Sequence, residues 1–97
     1  METISAKELE WYAREGKYLI IDLRSRSEFV QGHVPGAVNV PHGQFRGTIP
    51  GQPGETIILY CDRGALSMAV SRELEQKCRR TKSVVGGFKA YRGQTEK

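Results

Sequence analysis

The chain has 97 residues, of which 38% are hydrophobic and 27% charged, a balance that fits one small globular domain and excludes a disordered chain. Residues 1–62 hold six Lys/Arg against eight Asp/Glu, and residues 63–97 hold nine against three, which accounts for the net charge of +4. No run of about 18 apolar residues is present, so no transmembrane helix and no membrane partner are expected; the charged start lacks the apolar core of a secretion signal.

Ser5 caps a helix expected over Ala6–Glu15, and Gly16 ends it; Leu9, Trp11 and Tyr12 supply its buried stripe. The run Tyr18–Leu23 is nearly continuously apolar, as in a strand buried on both faces of a parallel sheet, with Asp22 near its end. Ser25 and Glu28 are spaced as a capping box, so a short helix is expected to run to Gln31. His33–Gly36 reads as a turn and Ala37–Val40 as a short strand stopped by Pro41. Glycine and proline crowd residues 42–55, which read as one helical turn over Gln44–Arg46 followed by an irregular loop.

Thr56–Tyr60 is a second buried strand, followed by the loop Cys61-Asp-Arg-Gly-Ala-Leu66. A helix is expected over Ser67–Arg80, with Leu66, Val70, Leu74 and Cys78 recurring every four residues on its inner face. Ser83–Val85 reads as a third buried strand, Gly86-Gly87 as a turn, Phe88–Tyr91 as helical and Gly93–Lys97 as a frayed tail. Alternating strands and helices indicate an α/β fold with a largely parallel sheet. Ligands on such sheets bind beyond the carboxyl ends of the strands, which is where Cys61 falls.

The order strand, Cys61, glycine-containing loop, helix has chemical consequences. Loop amides can turn inward as an anion-binding nest, and the helix adds unpaired amides and the positive end of its dipole. Both favour a thiolate over a thiol at Cys61, and both would hold a terminal persulfide or a small anionic sulfur donor. Gly64 lets the backbone turn tightly, and Arg63 can add a positive charge. The plainer alternative is a small buried cysteine at a strand end. Cys78 continues the apolar helix stripe and is assigned to packing.

Two cysteines without a secretion signal point to a reducing, cytoplasmic setting. The scattered Cys and His residues lack metal-ligand spacing, so neither a metal nor a cofactor is expected. His33 either serves as a base for Cys61 or makes a structural hydrogen bond in its turn. The basic second half suits a small anion or an acidic partner, or is simply a solvated face. The run Arg79, Arg80, Lys82 has no interleaved aromatics, so nucleic acid is not expected.

Phe29-x-x-x-His33-Val34-Pro35-Gly36-Ala37-x-x-Val40 resembles the N-terminal signature of the rhodanese homology domain. Ile21-Asp22-Leu23-Arg24 is similar to that family's Asp-x-Arg strand end, and Asn39-Val-Pro41 to its Asn-x-Pro step. Cys61-x-x-Gly64 before a helix resembles its active-site loop, and Val84-Val-Gly-Gly-Phe88-x-x-Tyr91 its closing motif, which usually ends in Trp. The likeness covers residues 3 to about 92. It implies a five-stranded parallel sheet with helices on both faces and a thiosulfate-type sulfurtransferase. Cys61 would be the nucleophile, taking sulfane sulfur as a persulfide and passing it to cyanide, a thiol or a sulfur-carrier protein. The loop from Asp62 through Arg63, Gly64, Ala65 and Leu66 to Ser67 would bind the sulfur, with Asp22 and Arg24 as support.

Two positions depart from the family pattern. Leu66 stands where many single-domain members have Arg, and Asp62 puts a negative charge beside the sulfur. Arg63 could supply the missing cation; otherwise a protein or low-molecular-weight persulfide replaces thiosulfate as donor. Two other readings compete. A phosphatase on this fold would need Cys-x5-Arg, and position 67 is Ser. A non-catalytic docking module would need no intact cysteine cradle.

Overall fold

The computed structural model of the chain describes residues 2–44 and 50–97. Five parallel strands, β1 (Glu2–Ile4), β2 (Leu19–Asp22), β3 (Val38–Asn39), β4 (Thr56–Tyr60) and β5 (Arg80–Val84), form one sheet in the order β1-β5-β4-β2-β3. The helices are α1 (Ala6–Glu15), α2 (Arg26–Gln31), α3 (Ala65–Gln76) and α4 (Gly87–Ala90). The expected α/β architecture, with a five-stranded parallel sheet and helices on both faces, is present.

Period-two alternation explains why the apolar runs are nearly continuous. Ile20, Ile58, Tyr60 and Val84 pack on one face with Leu9 of α1, and with Phe88 and Tyr91 from α4 and its end. Ile21, Ile57, Leu59 and Cys61 pack on the other face with Val70 and Leu74 of α3. Each fully buried aliphatic side chain contributes about 1.5–3 kcal/mol. Cys61 therefore leaves β4 on the α3 side.

The expected capping box of Ser25 and Glu28 opens α2, and Ser5, expected only as the cap of α1, forms a second box with Glu8. Trp11, expected in the buried stripe of α1, is half exposed. Leu9 is buried as expected, Ala6 joins it, and Trp11 stands edge-on to Tyr12 at a ring distance of 4.9 Å. β1 was not expected, because three residues are too short to show a period; it pairs with β5 through Ile4 and Val84. The turn expected over Gln44–Arg46 begins earlier, as a 3-10 turn over His42–Gln44, and residues 45 and 46 lie outside the described ones.

α3 starts two residues before the expected Ser67 and stops at Gln76 rather than Arg80. Its end is a Schellman turn. Arg79 N–H donates to Leu74 O and Cys78 N–H to Glu75 O, both at 3.0 Å. Cys78 sits at the left-handed position with φ 62°, exposed to solvent. Its assignment to core packing is thus wrong: the backbone reverses before the four-residue period reaches it. β5 likewise begins at Arg80 rather than Ser83, because Arg80, Thr81 and Lys82 pair with Thr56, Ile57 and Ile58 despite their polarity. The tail expected to fray is docked. His33 and Glu96 exchange backbone hydrogen bonds at 2.9 Å, and Tyr91 donates to Gln94 O at 2.6 Å.

Candidate active site

Cys61 follows β4 directly, is 4% exposed, and faces the start of α3. Gly64 N–H donates to Cys61 Sγ at 3.0 Å, and Ser67 N–H donates to it at 3.4 Å. Gly64 caps α3 with φ 104°, a left-handed conformation that places its amide over the sulfur. Ser67 is the third residue of α3, so the second donor is an amide that no helical carbonyl can satisfy. The early start of α3 matters here, because it makes Ala65, Leu66 and Ser67 the first turn. Ala65 and Leu66 contribute two more amides without intrahelical acceptors. The arrangement favours negative charge on Sγ or on an atom attached to it.

The cradle is pinned from behind. Ser67 Oγ donates to Gly64 O at 3.0 Å, and Ser83 Oγ lies 2.7 Å from Ser67 Oγ. A hydroxyl has one proton, and that of Ser67 goes to Gly64 O, so Ser83 donates to Ser67. From the side, Phe88 N–H donates to Cys61 O at 2.8 Å and Lys89 N–H to Asp62 O at 3.1 Å. This docking needs Gly87: a Cβ there would collide with the carbonyl of Cys61, and its φ is 61°. The Gly86-Gly87 pair, generic in sequence, serves to bring α4 against the loop.

Beneath the loop lies a buried charge network. Asp22 is fully buried, and its carboxylate accepts from Arg24 Nε at 3.1 Å and Nη2 at 2.8 Å, and from Tyr60 Oη at 2.6 Å. Arg24 also donates to Gly32 O at 2.7 Å, and its guanidinium lies 4.0 Å from the Phe88 ring centroid. Burial and the hydrogen bond to Asp22 push the Tyr60 phenol far above its usual range, so it stays a donor. For Arg24 burial is the largest single influence and opposes the charge, but the hydrogen bond and charge attraction of Asp22, with Tyr60, together outweigh it and the net direction is upward. The residue before Cys61 and the ring beside it thus both rest on the Asp22–Arg24 pair.

A cavity of about 430 Å³ opens at Cys61. Asp62, Arg63, Ala65 and Leu66 line it from the loop; Leu23, Arg24, Ser25 and Glu28 line the opposite side. Arg63 is largely exposed, and its Nε lies 3.9 Å from the Asp62 carboxylate, so its charge is turned toward that group. Leu66 is partly buried against the Cys61-side core. Gly64 and Ser67 lie in the floor as amide donors to the sulfur. His33 is held in its turn: its Nδ1 lies 2.8 Å from Phe29 O, its ring stacks on Phe29 at 3.7 Å, and Nε2 faces Glu96. It takes the structural role of the two considered.

A family model described as "Rhodanese-like domain" matches residues 5–94. The chain belongs to the rhodanese-like domain family. It is 34% identical over 82 residues, 84% of its length, to a tRNA sulfurtransferase of Desulfurococcus amylolyticus. A human thiosulfate:glutathione sulfurtransferase is 33% identical over 58 residues, 60% of the chain. The chain spans 16% of the length of the first relative and 50% of the second. A rhodanese-like domain protein of Staphylococcus aureus superposes with a TM-score of 0.88 at 26% identity, covering 99% of this chain and 97% of that one.

Sequence reasoning missed four residues of this site. Tyr60, Gly87 and Phe88 were read only as strand, turn and helix, and Ser83 only as the start of a strand. The short side chains of Ser67 and Ser83, both fully buried in otherwise apolar surroundings, are the signal that could have paired them.

Proposed function

We propose that this rhodanese-like domain transfers sulfane sulfur through a persulfide on Cys61. The observation that carries the reading is the pair of amides, from Gly64 and Ser67, that converge on Cys61 Sγ at the mouth of a cavity. The thiolate attacks the outer sulfur of a donor; a Cys61 S–S bond forms as the donor's bond to that sulfur breaks. An acceptor nucleophile (cyanide, a thiol or a carrier protein) then takes the terminal sulfur and releases the thiolate. The amides from Asp62 to Ser67 stabilise the transferred sulfur, and Asp22 and Arg24 hold the loop. Electrostatic donors aimed at developing charge are worth roughly 2.7–4 kcal/mol each where they have been removed.

The test is the mass of the protein after exposure to a sulfur donor. One added sulfur atom, located on Cys61 and removable by cyanide, is the expected result. Cys61→Ala should abolish loading while Cys78→Ala retains it. Loading that persists in the first variant ends the proposal. A protein that takes up no sulfur is instead a docking module, a reading favoured by the Asp62 carboxylate at the mouth.

A further inference from the structure

The charges around the Cys61 cavity select among sulfur donors. Arg24 is spent on Asp22, which holds it through three side-chain contacts of 2.8 to 3.1 Å. Its side chain is 6% exposed, so it has little surface to offer an incoming anion. Arg63 faces Asp62 at 3.9 Å. Glu28 remains. Its Oε1 accepts from Ser25 N at 3.2 Å and Oγ at 2.9 Å, which fixes the carboxylate at the rim, with no ion pair to it among the described residues. Counting the Arg24–Asp22 and Arg63–Asp62 pairs as neutral leaves Glu28, so the wall together with the buried Asp22 behind it carries one net negative charge. The positive side of the ledger is the partial charge of the amide cradle, about half a charge at a helix N-terminus. The cradle offsets about half of one negative charge on the reacting sulfur and leaves the second charge of a dianion wholly uncompensated.

The net +4 of the chain does not reverse this, because fields of exposed charges are screened beyond about 8 Å at physiological salt. Arg79 and Arg80 lie at the opposite end of the sheet, where β5 begins. The wall is also more apolar than polar, with Leu23 and Leu66 facing the sulfur's approach.

We infer that the site takes its sulfur from an organic hydropersulfide with at most one net negative charge, in preference to the thiosulfate dianion, and that Asp62 and Glu28 impose the preference. The inference rests on the persulfide reading above and names its donor class. The step balances without an electron carrier. The Cys61 thiolate attacks the terminal sulfur of R–S–SH, the donor S–S bond breaks, and R–S⁻ leaves and takes up the proton of that terminal sulfur. The products are R–SH and the Cys61 persulfide anion.

The experiment measures loading of the full chain by cysteine hydropersulfide and by thiosulfate, each rate divided by that donor's rate with free cysteine. The native ratio should favour the hydropersulfide by at least about tenfold. Glu28→Gln with Asp62→Asn, which keeps both capping and size, should narrow the ratio by about tenfold. Arg63→Ala, at an exposed position that folding does not need, should widen it by leaving Asp62 uncompensated. Thiosulfate used as well as the hydropersulfide overturns the inference and leaves the persulfide mechanism standing. A preference that neither variant moves also overturns it, since charge is then not the cause. Loading by neither donor removes the persulfide reading itself, and the inference with it.

Discussion

The two cysteines stand at opposite ends of α3, and the comparison shows how helix polarity sets the surroundings of a thiol. Cys61 precedes the helix and receives two amides; Cys78 follows it, in a turn whose amides are taken by Leu74 and Glu75 carbonyls. Cys78 is the exposed one and Cys61 the buried one. Access alone favours Cys78, whereas the proposed function assigns the sulfur to Cys61. What separates them is helix polarity: free N–H groups gather at the start of a helix and carbonyls at its end. The ends also differ in how they are held. A buried ion pair, Asp22–Arg24, supports the Cys61 end, whereas the other end carries Lys82–Glu2 with Glu2 largely exposed.

The largest expected effect tests that second contrast. Asp22→Ala strands Arg24 and Tyr60 in the core and should cost about 3–5 kcal/mol, measured by urea unfolding. Glu2→Ala, at the far end, should cost less than about 1 kcal/mol. Equal losses would show that the two ends are held alike. Next is Gly87→Ala, whose Cβ meets the carbonyls of Cys61 and Asp62. It should destabilise the chain by about 1–3 kcal/mol and slow sulfur loading, because α4 must retreat from the loop. Normal loading in a folded Gly87→Ala protein would detach α4 from the site. The smallest effect is a gain. Cys78→Gly relieves a left-handed residue and should stabilise by up to about 1 kcal/mol, whereas Cys78→Ala should change stability by less than about 0.5 kcal/mol. A thermal melt distinguishes the two, and a destabilising glycine would return Cys78 to a packing role.

Local signals were readable wherever one short segment contained its own cause. The Ser5 cap, the Ser25–Glu28 capping box, the helix end at Gly16 and the strand Thr56–Tyr60 lie where their residues indicated. Cys61 before a glycine and a helix was likewise visible as a cradle. Signals failed where the cause lay elsewhere in the chain. Arg80-Thr-Lys82 is too polar to suggest a strand, yet it is one, because β1 and β4 flank it. Glu96 looked free and is paired with His33, 63 residues earlier. Arg63, expected as a cation for the donor, lies 3.9 Å from the Asp62 carboxylate, a pairing that the sequence did not indicate.

By itself, the sequence determined the α/β alternation, the helix caps and the placement of a cysteine at a strand-to-helix junction. These depend on periodicity and on side chains reaching backbone a few residues away. Only the tertiary structure decided which amides meet the sulfur, which charges cancel at the cavity, and where Cys78 points. Those outcomes depend on distances between segments that the chain keeps far apart, such as Ser67 with Ser83 and Asp22 with Tyr60, and packing alone brings them together.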